Sequence, residues 1–223
     1  MRYLPINLDI RGKPVIVVGG GSVAARKCLA LIAAGARVTV IAPTLAPPLR
    51  ELAESGELSH LSRNYKTGDL EGSFLVFAAT NSRAVNRAVA GEAKERGIMA
   101  DIADSPDLCD FTSPATICRD ELLITVSTGG GAPVLAGKIR GELEERFGPE
   151  YAELIKILGR VREKLLTEKV NSQYNKKVLR TLVDQELPAL IKKGAFTEID
   201  HLLRKICGPG FSLAELGLRK KDK

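Results

Sequence analysis

The stretch VIVVGGGSVAARK, residues 15–27, decides how the rest of the chain is read. Four apolar β-branched residues run into Gly19, Gly20 and Gly21, and a helix-forming run follows at once. A short apolar run closed by glycine reads as a buried strand, and SVAARK opens a helix. Between them the small residues fall as Gly19-x-Gly21-x-x-Ala24, the spacing of a dinucleotide-binding turn. Each position has a separate physical task. Gly19 lets the chain turn sharply off the strand, Gly21 lets backbone come within contact of a diphosphate, and Ala24 is small enough for the helix to lie on the sheet. The peptide N–H groups of the first helical turn, backed by the helix dipole, then face the anion. A glycine turn that binds nothing is the plain alternative, and the position in the first strand–helix unit favours the ligand.

Working outward, short β-branched runs alternate with amphipathic helical runs from Pro14 to about Ser127. PVIVVG, ARVTVIA, GSFLVFAAT, GIMADIA and LLITVS read as buried strands, with ELSHLSRNY a weaker one. VAARKCLALIAAG, PPLRELAESG and RAVNRAVAGEAKERG read as helices that end at glycine. The alternation predicts an α/β fold, a Rossmann-like doubly wound parallel sheet with helices on both faces. After Thr128 a second glycine turn, STGGGAP, feeds a helix, and from about Pro149 onward the chain reads as helical throughout. Pro188 is expected to bend or break the run VLRTLVDQELPALIKKG. The expected division is therefore 1–113 for the dinucleotide-binding domain, 114–148 for a dimerisation and substrate segment, and 149–223 for a small all-helical domain.

Composition narrows the functional classes. With 223 residues and 44% hydrophobic residues the chain can bury a sizeable core without covalent staples. Its four cysteines lie far apart, with no C-x-x-C pair and no histidine beside them, so neither a disulfide framework nor a zinc site is indicated. The start MRYLPINLDIRGK lacks the apolar core of a signal peptide, and no run is long enough to span a bilayer, so a cytoplasmic protein without membrane partners is expected. The net charge is +6, but there is no Trp, and the Tyr and Phe residues are scattered singly, so the aromatic platforms of a nucleic-acid binder are missing. A small polyanion suits the charge better. His60 and His201, the two histidines, have no partner motif, and no fixed metal site is read.

One feature of the generic dinucleotide site is absent. The second strand ends VTVIAP, so Ala42 and Pro43 stand where an acidic residue commonly grips the adenosine ribose. Spacing alone leaves the choice between NAD and NADP open, although nothing is placed to receive a 2′-phosphate.

Taken in order, VIVVGGGSVAARK, AGARVTVIAP, FAATN, ADSPDLCDFTSPA and ITVSTGGGAPVLAGKIR resemble the precorrin-2 dehydrogenase/sirohydrochlorin ferrochelatase family, the dehydrogenase module of siroheme synthase. The resemblance covers about the first 147 residues, and the remainder is similar only in being helical. It implies NAD-dependent oxidation of precorrin-2 to sirohydrochlorin by a homodimer, with Fe²⁺ as a further substrate in some members. The Ala-Pro after the second strand is itself the family's pattern, which restores NAD as the expected cofactor. Its expected contacts are Gly19, Gly20, Gly21, Ser22, Val23, Ala42, Pro43 and Thr80. No methyltransferase extension accompanies the module, so precorrin-2 is expected from another protein.

The segment ADIADSPDLCDF puts Asp101, Asp104, Asp107 and Asp110 after the fifth strand, at the sheet edge where open α/β folds seat ligands. The family's aspartate corresponds to Asp104, the expected catalytic base, because dehydrogenation also releases a proton. Asp101 is expected to share that work, while Asp107 and Asp110 read as turn and cap residues. Ser105 stands where the family's motif has a second aspartate, a departure that bears on chelation more than on oxidation. In the second glycine turn Ser127, Thr128, Gly129 and Gly130 offer hydroxyl and amide donors, and Lys138 follows on the helix; together they are the expected contacts to substrate carboxylates. A simple tight turn is the equal alternative there. Arg83, Arg87 and Arg140 are further candidates for carboxylate pairing. Against the enzyme stand a dinucleotide-sensing regulatory dimer without chemistry and a chelatase that does not oxidise; a general NADP-linked reductase is weaker, lacking a Tyr-x-x-x-Lys pair.

Overall fold

The computed structural model describes residues 3–167 and 172–219. The end of the long helical run after Thr167 and the basic tail beyond Arg219 lie outside the described residues. The chain divides into two compact units, Met1–Ser113 and Pro114–Lys223.

In the first unit β1 (Pro14–Val18), β2 (Arg37–Ile41), β3 (Ser59–Leu61), β4 (Leu75–Ala78) and β5 (Met99–Ile102) form one sheet in the order β3-β2-β1-β4-β5, every pair parallel. Strands buried on both faces need apolar residues without alternation, and β4 (LVFA) is buried at every position. α1 (Ser22–Ala33) and α2 (Pro47–Glu54) cover one face, where Val15, Val17, Val38, Val40 and Phe77 meet Ala24, Cys28, Leu31 and Leu49. α3 (Arg83–Arg96) covers the other, where Ile16, Val18, Val76, Ile102 and Leu70 meet Val89 and Ala93. It stops at Gly97, whose left-handed φ of +66° closes the helix. The strand order reverses between β1 and β4, which leaves a crevice at their carboxyl ends.

The structure corrects LLITVS. It is not a buried strand of the parallel sheet but β7 (Leu122–Val126), paired antiparallel with β6 (Ala115–Arg119) in a separate hairpin of the second unit. Asp120 makes the turn with φ +57°. Residues along β7 alternate between half-buried and exposed, the pattern of a hairpin with one solvated face. α4 (Pro133–Arg146) packs on this hairpin, and α5 (Glu150–Thr167), α6 (Ser172–Val183), α7 (Leu187–Lys193) and α8 (Phe196–Cys207) enclose a second core around Ile157, Val161, Leu182, Ile199 and Leu203. Pro188 sits in the first turn of α7, where its missing N–H costs nothing.

Candidate functional site

The three glycines differ in what they can tolerate. Gly19 has φ +122°, and a Cβ there would lie 2.3 Å from the carbonyl oxygen of Ala79. At Gly20 a Cβ would lie 2.0 Å from the carbonyl oxygen of Thr44. Gly21, the N-cap of α1, has nothing within 4 Å on that side. The first helical bond of α1 runs from Ala25 N–H to Gly21 C=O, and no side chain caps the helix. The amides of Ser22, Val23 and Ala24 thus precede the helical ladder, as donors do at any helix start.

These residues form one wall of a cleft of about 420 Å³, bounded also by Ile41, Ala42, Pro43, Thr44, Ala79, Thr80, Ser82 and Val85. Ser22 and Val23 begin α1 immediately beyond it. The far wall is Asn64 and Tyr65, from the loop between β3 and β4. Among the described residues, no charged side chain lines the cleft. His60 is structural, its Nε2 2.9 Å from the carbonyl oxygen of Ala42.

The loop carrying Asn64 and Tyr65 hangs on one buried carboxylate that the sequence reading did not single out. Glu92, on α3, accepts from the Tyr65 hydroxyl, the amide of Gly68 at 2.9 Å, the amide of Leu70 at 3.3 Å and Arg96 Nε at 2.8 Å. Arg63 is committed within the same loop to a bidentate pair with Asp69, at 2.6 and 2.8 Å. Burial pushes the Glu92 carboxyl up, but the Tyr65 hydroxyl, the two amides and Arg96 outweigh it and hold the group below its ordinary 4.5. The unfolded chain therefore binds this proton more tightly. The stabilisation is complete above the unfolded value and is lost as the pH falls through the lower folded value. Glu92→Gln is expected to cost about 2 kcal/mol at neutral pH, with the gap to wild type closing as the pH falls below the ordinary glutamate value of 4.5. Urea unfolding across that range checks it, and a gap independent of pH would contradict the assignment.

Across the crevice, the four aspartates separate. Asp104 follows β5 with its side chain 32% exposed, accepting from Asn86 Nδ2 at 2.8 Å and Ser105 Oγ at 3.4 Å, with Arg83 Nε 3.9 Å away. Asn86, fully buried on α3, also accepts from the Thr80 hydroxyl at 2.7 Å and the Thr80 amide at 3.3 Å. Asp101 does not follow the strand as expected; it lies within β5 and faces the α1 side. Its buried carboxylate is taken by Lys27, and by the Ser113 hydroxyl at 3.0 Å, with Lys27 also stacked over Phe77. Asp110 accepts from the Ala100 amide at 2.9 Å and Cys109 Sγ meets the Ile102 amide at 3.1 Å, so this segment covers the free edge of β5. Asp107 is the middle residue of a 3-10 turn, Pro106–Leu108.

The second glycine turn belongs to the second unit. Gly129 and Gly130 have φ +63° and +87°, and the hydroxyls of Ser127 and Thr128 accept from the amides of Gly129 and Ala132 at 3.2 Å each. Those hydroxyls therefore shape the turn. Lys138 is 74% exposed and only 4.0 Å from Glu142, and Arg140 lies 3.8 Å from Glu144.

An uncharged cleft at the strand-order reversal, with open space beside Gly21 and uncapped amides at the start of α1, fits the diphosphate and ribose of a dinucleotide. Fold and cleft together define a Rossmann-type dinucleotide-binding protein. Residues 6–115 match the profile of the family NAD_binding_7, described as "Putative NAD(P)-binding". The siroheme synthase of Methylococcus capsulatus is 44% identical over 165 residues, 74% of this chain and 35% of that protein. That of Pseudomonas aeruginosa strain LESB58 is 35% identical over 212 residues, 95% of this chain and 46% of that one. The structure of SirC, precorrin-2 dehydrogenase, superposes with a TM-score of 0.74 at 27% identity, covering 88% of this chain and 98% of SirC. The chain belongs to the family of precorrin-2 dehydrogenases and siroheme synthase dehydrogenase modules. It spans less than half the length of the two siroheme synthases.

Proposed function

We propose that this chain is an NAD-dependent dehydrogenase that converts precorrin-2 to sirohydrochlorin. The observation that carries the reading is the pairing of an uncharged dinucleotide cleft with the part-exposed carboxylate of Asp104, one side chain away from the cleft wall at Thr80. Membership of the family supplies the substrate class.

Gly20, Gly21, Ser22 and Val23 would hold the diphosphate through backbone amides, while Gly19, whose own amide donates to the Ile41 carbonyl at 2.9 Å, makes the turn; Ala42, Pro43 and Thr80 would lie along the ribose and nicotinamide sides. NAD is favoured over NADP because the cleft lining has no cation, and Arg63 beside its far wall is spent on Asp69. When bound, NAD⁺ supplies the acceptor for two electrons and one hydrogen. Asp104 takes the accompanying proton from the macrocycle, held in place by Asn86 and with Arg83 available to a substrate carboxylate. Asp101 is left out of the chemistry, since its buried carboxylate is already paired with Lys27 and with the Ser113 hydroxyl. Lys138 and the Ser127–Gly130 turn are proposed as further carboxylate contacts, the lysine because its side chain is 74% exposed and its pairing with Glu142 is long, at 4.0 Å. A cytoplasmic homodimer completes the reading. Leu123, Val134 and Leu135 leave apolar surface on β7 and α4, as a subunit contact requires.

The test is an anaerobic incubation of the chain with precorrin-2 and NAD⁺, followed by Fe²⁺ once oxidation is complete. Growth of NADH absorbance with the expected stoichiometry supports the dehydrogenase. Dinucleotide binding without oxidation gives the sensor instead, and siroheme formed from added sirohydrochlorin without any NADH gives the chelatase. With Ser105 where the family's motif has a second aspartate, oxidation is expected to far exceed chelation. Sedimentation of the same preparation reads the dimer.

A further inference from the structure

Asn86 is fully buried in a helix face that otherwise packs on the sheet through Val89 and Ala93. An amide in such a place is costly unless every donor and acceptor is met. Here each is met, and by two functional elements at once. Its Oδ1 accepts from the hydroxyl and the amide of Thr80, at 2.7 and 3.3 Å; its Nδ2 donates to Asp104 Oδ1 at 2.8 Å and to the Thr80 carbonyl at 3.2 Å. The orientation of the amide is fixed by chemistry. The Thr80 N–H can only donate and the Asp104 carboxylate and Thr80 carbonyl can only accept, so the two ends of the Asn86 amide cannot exchange. Thr80 is held further by its neighbours, its Oγ1 lying 3.2 Å from the Ser82 carbonyl and 3.1 Å from the Ser82 amide.

We propose that Asn86 is the positioning residue of the reaction: it aims the Asp104 carboxylate and, through Thr80, ties that aim to the wall of the dinucleotide cleft. The inference rests on the dehydrogenase reading and adds to it a residue that touches neither cofactor nor substrate. The groups facing Asp104 are Asn86 and Arg83 from α3 and Ser105 from its own segment; Asp101 and Lys27 lie on the opposite face of the sheet. Of these, only Asn86 is both buried and bonded to the cleft wall.

Asn86→Asp keeps the shape of the side chain but sets a second carboxyl against Asp104 and the Thr80 carbonyl. Like charges in contact disfavour ionisation, so the acid limb of kcat against pH is expected to move upward by about one unit or more, with activity partly restored at alkaline pH. Asn86→Leu removes the donors, and kcat is expected to fall by about 10²-fold while KM for precorrin-2 stays within about threefold. A merely structural role would lower the melting temperature and scale the rate equally at every pH. Should both variants fail to fold, Thr80→Val removes the hydroxyl that Asn86 accepts from, and a lower kcat at unchanged KM for precorrin-2 is then the expected result. Folded variants whose pH profiles superimpose on that of the wild type after scaling, or a Thr80→Val enzyme with wild-type kcat, would overturn the proposal. If the wild-type chain does not oxidise precorrin-2 at all, the functional reading fails first and this inference falls with it. NAD⁺ affinity by calorimetry on each variant separates the two cases.

Discussion

Asp104→Asn is expected to lower the turnover of precorrin-2 by about 10²- to 10⁴-fold, with NAD⁺ affinity within about twofold of wild type. The substitution is nearly isosteric. Its Oδ1 still accepts from Asn86 Nδ2, so the side chain keeps its place and loses only the ability to take a proton. The contact to Arg83 is 3.9 Å long and the arginine 83% exposed, so removing the charge costs the fold little. The loss is thus one of chemistry, and single-turnover NADH formation beside a calorimetric Kd reads it directly. Asp101→Asn should behave in the opposite way. It leaves the Lys27 ammonium without its partner in a site where both side chains are at most 16% exposed, which is expected to cost about 3 kcal/mol of stability while the folded fraction keeps its rate. A wild-type rate for Asp104→Asn, or a folded Asp101→Asn enzyme that is dead, would reassign the base.

That contrast also shows where a sequence is readable and where it is not. The glycine turn between β1 and α1 could be read because a strand, a positive-φ glycine and a helix start leave a local mark in residue order. The parallel sheet could be read for the same reason, as its strands are apolar on both faces and glycine closes its helices. LLITV carries nearly the same composition, and what sets it apart is the two-residue turn before it and a partner, ATICR, with no strong pattern of its own. Asp101 and Asp104 are three residues apart, yet strand alternation sends one into a buried ion pair while the other reaches the rim. No local signal fixes where β5 ends. Asn86 and Glu92 were legible in principle: they fall with Val89 and Ala93 on one stripe of α3, and a polar residue in a buried stripe demands a partner. Their partners, Thr80, Asp104 and the loop from Tyr65 to Leu70, come from tertiary packing and could not be named beforehand.

The glycine turn itself yields the sharpest separation of fold from ligand. Gly19→Ala and Gly20→Ala are each expected to lower the stability of the first unit by more than about 3 kcal/mol, because the added methyl group meets backbone oxygen that cannot move aside. At Gly19 that oxygen belongs to Ala79 at the end of β4, and the left-handed φ of +122° adds its own strain. At Gly20 it belongs to Thr44, on a segment already pinned by the Ala46 amide bonding to the Gly20 carbonyl at 2.8 Å. The middle glycine, to which the spacing motif gives no task, is therefore the more tightly enclosed of the two. Gly21→Ala meets nothing within 4 Å and has an ordinary φ of −87°, so the fold should lose no more than about 1 kcal/mol. Its methyl group would instead stand beside the uncapped amides of α1, where the diphosphate is proposed to lie, and NAD⁺ affinity is expected to fall by at least about tenfold, roughly 1.4 kcal/mol. Melting curves and calorimetry on the three variants read both quantities. Were Gly21→Ala to bind NAD⁺ as well as the wild type while folding normally, the diphosphate would have to be seated elsewhere, and the reading of residues 19–24 as its cradle would be lost.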